Sequence, residues 1–139
     1  MSNPFLHKFR VRYSELDPQG VVFNARYLEY ADIIVTEYWR DRRIRMFGDG
    51  ALEFHVAHAD VAFRKPIRAD EWIEGRAWTT RFGNSSMTTR IELHGAVADS
   101  AADDRDDLRA EIELVNVHVD LASGRPLPIP ASVREALSK

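Results

Sequence analysis

The stretch Tyr13 to Asp32, YSELDPQGVVFNARYLEYAD, sets one acid, Asp17, on a Pro/Gly turn immediately before a strong helix start. Helix starts leave backbone N–H groups unpaired, and such groups beside a carboxylate suit the polarisation of a carbonyl. Upstream, His7 to Tyr13 alternates Phe9, Val11 and Tyr13 with Lys8, Arg10 and Arg12, which predicts a strand. Downstream, Asn24 is placed to act as an N-cap for a helix in which Tyr27, Ala31, Ile34 and Tyr38 share a face. Leu28, Val35 and Trp39 widen that stripe, so the helix is expected to be largely buried. Gly48 is its expected stop.

The remaining chain carries strand patterns. Phe54 and Val56 occupy even positions, whereas Ala57, Ala59, Val61 and Phe63 occupy odd ones, a slip that predicts a bulge near Val56. Pro66 ends that strand or holds it at an edge. Ile73, Ala77 and Thr79 alternate against Trp72, Trp78 and Phe82. After Gly83-Asn84, Met87, Thr89, Ile91 and Leu93 alternate with polar residues, which predicts a hairpin. Ile112 and Leu114 followed by Val115, Val117 and Val119 predict a second slip in a last strand, closed by Gly124-Arg125-Pro126. Asp99 to Asp107 holds five aspartates and no large apolar side chain, as expected of a mobile acidic loop. A short helix is expected after Pro130. One early buried helix followed by antiparallel strands is an α+β pattern in which a sheet curls around a helix. Its open edges and wet face predict a homo-oligomer.

Composition narrows the function classes. The 139 residues, without a Ser/Gly linker or an internal repeat, fit a single domain spanning 1–139. A net charge of −3 gives no general basic field for nucleic acid. No apolar run reaches membrane-span length and the N-terminus lacks a secretory h-region, so no membrane partner and a cytoplasmic location are expected. Without Cys, covalent chemistry falls to oxygen or nitrogen groups. The chain has no Gly-x-Ser-x-Gly elbow, phosphate loop or dinucleotide fingerprint. His55 and His58 stand three apart on an expected strand, and His7, His94 and His118 are scattered. No metal site and no cofactor are therefore expected.

Tyr13, Asp17, Gly20, Val21, Val22, Tyr27 and Tyr30 are the acid, glycine, apolar pair and Tyr-rich helix of a pattern that resembles the hotdog-fold acyl-CoA thioesterases of the 4-hydroxybenzoyl-CoA thioesterase class. Similar order continues through Phe63-Arg64-Lys65-Pro66, Asp70-Glu71, Gly83-Asn84-Ser85-Ser86 and Gly124-Arg125-Pro126. The resemblance implies a curved antiparallel sheet wrapped around one long central helix, and a dimeric or tetrameric hydrolase with active sites between subunits. It further implies that Asp17 is nucleophile or general base and that the helix start around Asn24 supplies the polarising N–H. Relatives often carry Tyr or His at that position, so Asn24 departs from them in its side chain.

Thioester hydrolysis needs a nucleophile, or a base to activate water, and a holder for the oxyanion. Asp17 can fill either first role, although an aspartate before proline also serves simply to cap a turn. Gly20 supplies the turn, and Val22 and Tyr27 are candidates for the substrate wall. Tyr27 and Tyr30 at helical spacing also suit a core. Glu15 reads as a solvated acid, and Glu29 on the helix is an alternative carboxylate. Arg64, Lys65 and Arg68 are candidates for coenzyme A phosphates or for a solvated basic rim. Ser85 and Ser86 either meet the pantetheine arm or serve the Gly83-Asn84 turn. An acyl-CoA substrate is the leading expectation, with an acyl carrier protein thioesterase or a non-hydrolytic acyl-CoA-binding protein as alternatives. The acyl group stays open, because it depends on how Tyr27, Tyr30, Ile34, Trp78 and Phe82 meet.

Overall fold

A computed structural model of the chain describes residues 3–98 and 106–139. The elements are β1 (Phe5–Arg10), a single 3-10 turn (Tyr13–Glu15), α1 (Arg26–Asp41), β2 (Phe54–Phe63), β3 (Trp72–Phe82), β4 (Ser86–Ala96), β5 (Leu108–His118) and α2 (Ala131–Leu137). The five strands form one antiparallel sheet in the order β1-β3-β4-β5-β2. The Gly83-Asn84 hairpin joins β3 to β4 as its turn chemistry predicts, and α2 follows Pro130.

Helix α1 buries Tyr27, Tyr30, Ala31, Ile34, Val35, Tyr38 and Trp39 against the sheet. Its closest approach is at Gly75, where a Cβ would collide with the Ile34 side chain. Only a residue without a side chain lets the helix axis sit that low, so Gly75 sets the depth at which the sheet wraps α1. Around this contact Ile73, Ala77, Met87, Ile91, Leu93, Ala110 and Ile112 close the core with no measurable exposure. The result is a hotdog fold: one long helix in the concave face of a curved sheet, with α2 as a short addition.

Several boundaries differ from the sequence reading. The first strand stops at Arg10, and Tyr13, expected on its apolar side, lies in the 3-10 turn at 92% exposure. Glu15 causes this break, since its carboxylate accepts the Arg12 N–H at 2.7 Å and folds the chain over. Asn24 does not cap α1; Ala25 holds the N-cap position with no side-chain bond. The helix ends at Asp41 rather than near Gly48, because Arg43 takes a left-handed conformation (φ 61°) and the Ile44 N–H turns back to the Trp39 carbonyl at 3.0 Å. Leu28 remains 45% exposed instead of joining the buried stripe.

The expected slip in β2 is present, with a register shift between Val56 and His58 that puts Phe54, Val56, Ala59, Val61 and Phe63 on one face. The second slip is elsewhere: β5 alternates without interruption from Ala110 to His118, and the β4–β5 shift falls between Leu93 and His94, opposite Arg109. Asn116 and His118, not Val115 and Val117, therefore continue the inward face of Ile112 and Leu114. The apolar Val115 and Val117 mislead the reading because β-branched residues also stabilise the outer face through cross-strand pairs such as Thr88–Val115. Residues 99–105 of the expected mobile loop lie outside the described residues. Its last two acids are pinned: Asp106 pairs with Arg76 at 2.9 Å, and Asp107 with Lys65 at 3.0 Å and Arg109 at 2.8 Å.

Candidate active site at the acid turn

The acid turn is a narrow hairpin. Asp17 N–H donates to the Val21 carbonyl at 2.8 Å, Gly20 N–H returns to the Asp17 carbonyl at 3.0 Å, and Leu16 bridges Val22. Gly20 has φ 79°, so the turn requires its freedom from a Cβ. Oδ1 of Asp17 accepts the Gln19 N–H at 2.8 Å and the Val21 N–H at 3.4 Å. The capping role that aspartate-proline chemistry suggests is therefore real, and it fixes the carboxylate's orientation while Oδ2 has no partner among the described residues.

Beyond the Leu16–Val22 bridge the returning strand pairs Phe23 N–H with the Glu15 carbonyl at 3.0 Å and then enters α1. The Asn24 carbonyl accepts from Tyr27 N–H at 3.3 Å, whereas the Asn24 and Ala25 N–H groups have no acceptor among the described residues. Glu15, expected in solvent, is half-buried and accepts the Tyr30 hydroxyl at 2.8 Å. Burial first, and this bond second, push the Tyr30 phenol far up, so it stays a neutral donor. Glu29 is exposed and tied to Arg26 at 2.8 Å, on the solvent side of α1.

A cavity of about 240 Å³ opens beside this turn, lined by Val21, Val22, Asn24, Tyr27, Phe63, Arg64, Lys65 and Pro66. Val22, at 2% exposure, belongs mainly to the core. Tyr27 meets Phe63 edge to face at 4.8 Å between ring centres, and burial raises its phenol pKa. Arg64 and Lys65 lie at the rim but are engaged, Arg64 with Glu111 at 2.6 Å and Lys65 with Asp107 at 3.0 Å. Arg68 is exposed, and its guanidinium has no partner among the described residues. Behind the rim, Arg109 pairs with Glu71 and Asp107, each at 2.8 Å, and donates to the Pro66 carbonyl at 3.0 Å. Arg109 lowers the Glu71 carboxyl, and Arg109 together with Lys65 holds that of Asp107 well below its ordinary range. Its importance was invisible in one dimension because Glu71 and Asp107 are far from each other in sequence.

A second cavity, of about 360 Å³, lies between α1 and β2. It is lined by Leu28, Asp32, Val35, Thr36, Trp39, Phe54, Val56, Ala59, Leu114 and Asn116. Tyr27 and Phe63 line the first cavity only, and Trp39 and Phe54, 5.2 Å between ring centres, line the second. Of the residues expected to shape an acyl pocket, Tyr30 and Ile34 are fully buried in the core, Trp78 lines a cavity beside Leu137, and Phe82 lies beneath Arg134. Ser85 and Ser86 are at the opposite end of the sheet: Ser86 pairs with Val117, whereas Arg64 and Lys65 bond to Arg109 at the other end of β5. Eight β5 residues separate these points, on the order of 26 Å.

A family model described as the Thioesterase superfamily matches residues 19–97. None of the curated proteins searched matches the sequence. Among solved structures, a thioesterase from Thermus thermophilus crystallised with coenzyme A and zinc is 25% identical, with a TM-score of 0.78 over 96% of this chain and 97% of that one. A protein from Pseudomonas aeruginosa is also 25% identical, with a TM-score of 0.84 over 96% and 89%. A 1,4-dihydroxy-2-naphthoyl-CoA thioesterase from Synechocystis shares 17% identity and a TM-score of 0.82 over 99% and 97%, a likeness of fold. The family match spans more than half the chain and begins inside the acid turn, and on it this protein belongs to the thioesterase superfamily and is a thioester hydrolase.

Proposed function

We propose that the protein hydrolyses acyl-CoA thioesters at the acid turn, as a single domain over residues 1–139 that works in the cytoplasm. The observation that carries this reading is the half-committed carboxylate of Asp17. Oδ1 is held by two backbone N–H groups while, among the described residues, Oδ2 has no partner and the N–H groups of Asn24 and Ala25, across one hairpin, have no acceptor. Oδ2 either attacks the thioester carbonyl or takes a proton from an attacking water, and the N–H groups at the α1 start receive the oxyanion. Collapse of the tetrahedral intermediate expels the CoA thiolate, which takes up a proton. Direct attack leaves an anhydride on Asp17 that water then hydrolyses.

The Thermus relative bound to coenzyme A supports CoA as carrier; Arg64 and Lys65 supply positive charge at the cavity mouth, and Arg68, bridged to Val21, adds to it nearby. Gly20 shapes the turn, and Val22 and Tyr27 back the reacting group. Ser85 and Ser86 join such a site only if a second copy brings them. Strand β2 is an edge whose residues 55–60 are all exposed, and antiparallel pairing of two such edges would set one copy's hairpin toward the other's acid turn. We therefore assign the active form to a homo-oligomer, dimer or tetramer. Acyl carrier protein, with an acidic surface for the same basic rim, is the alternative carrier.

A thiol-release assay on aromatic, short-chain and long-chain acyl-CoAs, repeated with matched carrier-protein thioesters, tests this. Asp17→Asn is expected to lower turnover by about 100-fold or more. Unchanged turnover would overturn the role of Asp17, and ligand-induced stabilisation without free thiol from any thioester would make the protein a binder.

A further inference from the structure

Helix α1 ends in a basic cavity that the acid turn does not use. Residues 40–45 carry four arginines against one aspartate, in a chain whose net charge is −3. Arg42, Arg43 and Arg45 line one cavity of about 410 Å³, with Ile44, Leu52 and Val133 among its apolar walls and no acid in its lining among the described residues. Two of the four arginines hold the fold. Arg40 pairs with Glu37 at 2.6 Å, and Arg42 pairs with Asp41 at 3.2 Å, donates to the Lys139 main-chain oxygen at 2.9 Å and lies over the Tyr38 ring. Such cations also suit the negative end of a helix dipole. Arg43 and Arg45 stand outside that account. Both are exposed; among the described residues the Arg43 guanidinium has no partner, and Arg45 donates to the neutral Asp49 carbonyl at 2.7 Å. Elsewhere Arg10, Arg26, Arg64, Arg76, Arg90 and Arg109 each meet a carboxylate. Arg43 also keeps its side chain at φ 61°, just past the helix end, where glycine is the usual residue.

We propose that this cavity binds the phosphate of a small phosphate ester through Arg43 and Arg45, at a site separate from the acid turn of its own chain. A guanidinium fork donates to two phosphate oxygens at once, and two such forks without a carboxylate partner match the double charge of a phosphate monoester. The site is a concavity of small-ligand size, not a flat docking face. Its apolar walls take the body of the ester, and the exposed Ser132 hydroxyl in the lining is a further donor. The 16 residues of α1 put about 24 Å between the acid turn and this cavity, and the two cavities share no lining residue. The phosphate therefore has two sources open to it. One is a free nucleotide-like ester, which needs no acyl-CoA chemistry; the other, resting on the acyl-CoA reading above, is the phosphate end of a CoA thioester whose acyl group lies at a second copy's acid turn.

Titration calorimetry with ADP, CoA and inorganic pyrophosphate, at low and high salt, tests this in the full chain, Arg43→Gly and Arg45→Gln. The wild type is expected to bind at least one of the three, more weakly as salt rises. Arg43→Gly removes the guanidinium and relieves the left-handed backbone, so it is expected to fold at least as stably and still to bind about tenfold more weakly. Arg45→Gln, which leaves that backbone untouched, is expected to show a similar loss, and a loss in either variant sustains the site. If ADP or pyrophosphate binding is lost, the site takes a free ester. If CoA binding alone is lost, the site takes the phosphate end of that carrier, and KM for an acyl-CoA rises with it while kcat holds. No binding of any of the three, or binding that both variants retain, overturns the proposal. Thiol release by the wild type reads the acid turn separately, so failure there leaves the calorimetric result standing.

Discussion

The hydroxyl of Tyr30 donates to Oε1 of Glu15 at 2.8 Å, fastening the buried face of α1 to the loop that carries Asp17. The same Oε1 accepts the Arg12 N–H at 2.7 Å, so one carboxylate oxygen ties the end of the first strand, the 3-10 turn and the helix together. The acid turn is thus positioned from behind by a residue outside the reacting groups.

Tyr30→Phe is expected to destabilise the fold by about 1.5–3 kcal/mol, the cost of losing a hydrogen bond to a charged acceptor. The effect should also show in pH. The folded Tyr30 phenol is raised, so its contribution is complete below the ordinary tyrosine range and is lost as pH climbs above about 10. Urea midpoints measured at pH 8 and pH 11 should differ less in Tyr30→Phe than in the wild type.

Gly75→Ala places a methyl group in the space that the Ile34 side chain occupies. Overpacking of this kind costs about 1–3 kcal/mol. Urea denaturation should report the loss, and the double change Gly75→Ala with Ile34→Val should recover part of it.

Arg109→Met leaves Glu71 and Asp107 facing each other at the base of the basic rim, where Arg109 is 9% exposed. Removing one partner of such a cluster is expected to cost about 3 kcal/mol at neutral pH. Both carboxyls are lowered in the folded protein, so their stabilisation is complete above about pH 4 and fades as acid titrates the folded groups. Thermal midpoints of wild type and variant, measured from pH 7 down to pH 3, should therefore converge toward the acid end.

Arg68→Ala removes the rim cation whose guanidinium has no partner among the described residues. If it meets a CoA phosphate, KM for an acyl-CoA should rise by about two- to fivefold, with kcat little changed and the difference shrinking at high salt. Thermal stability should not move.

What sequence determined here is local. The alternation of β3 and β4, the even-to-odd slip in β2, the Pro/Gly turn at Asp17 and the stripe of α1 follow from backbone period and turn chemistry, which neighbouring residues settle among themselves. The hairpin that carries Asp17 and Gly20 was legible for the same reason, and the start of α1 to within one residue. Tertiary structure decided what depends on distant partners. Glu15 reads as an ordinary surface acid until Tyr30, on the helix, closes on it, and Arg109 is one arginine among many until Glu71 and Asp107 converge. Asn116, between two valines, faces inward only because the β4–β5 register shift falls at Arg109 rather than near Val115. Ser85 and Ser86 follow the motif in sequence, yet the length of β5 carries them to the other end of the sheet. Strand periodicity fixes which residues alternate; the pairing of strands far apart in the chain fixes which face is inside and which end meets the acid turn.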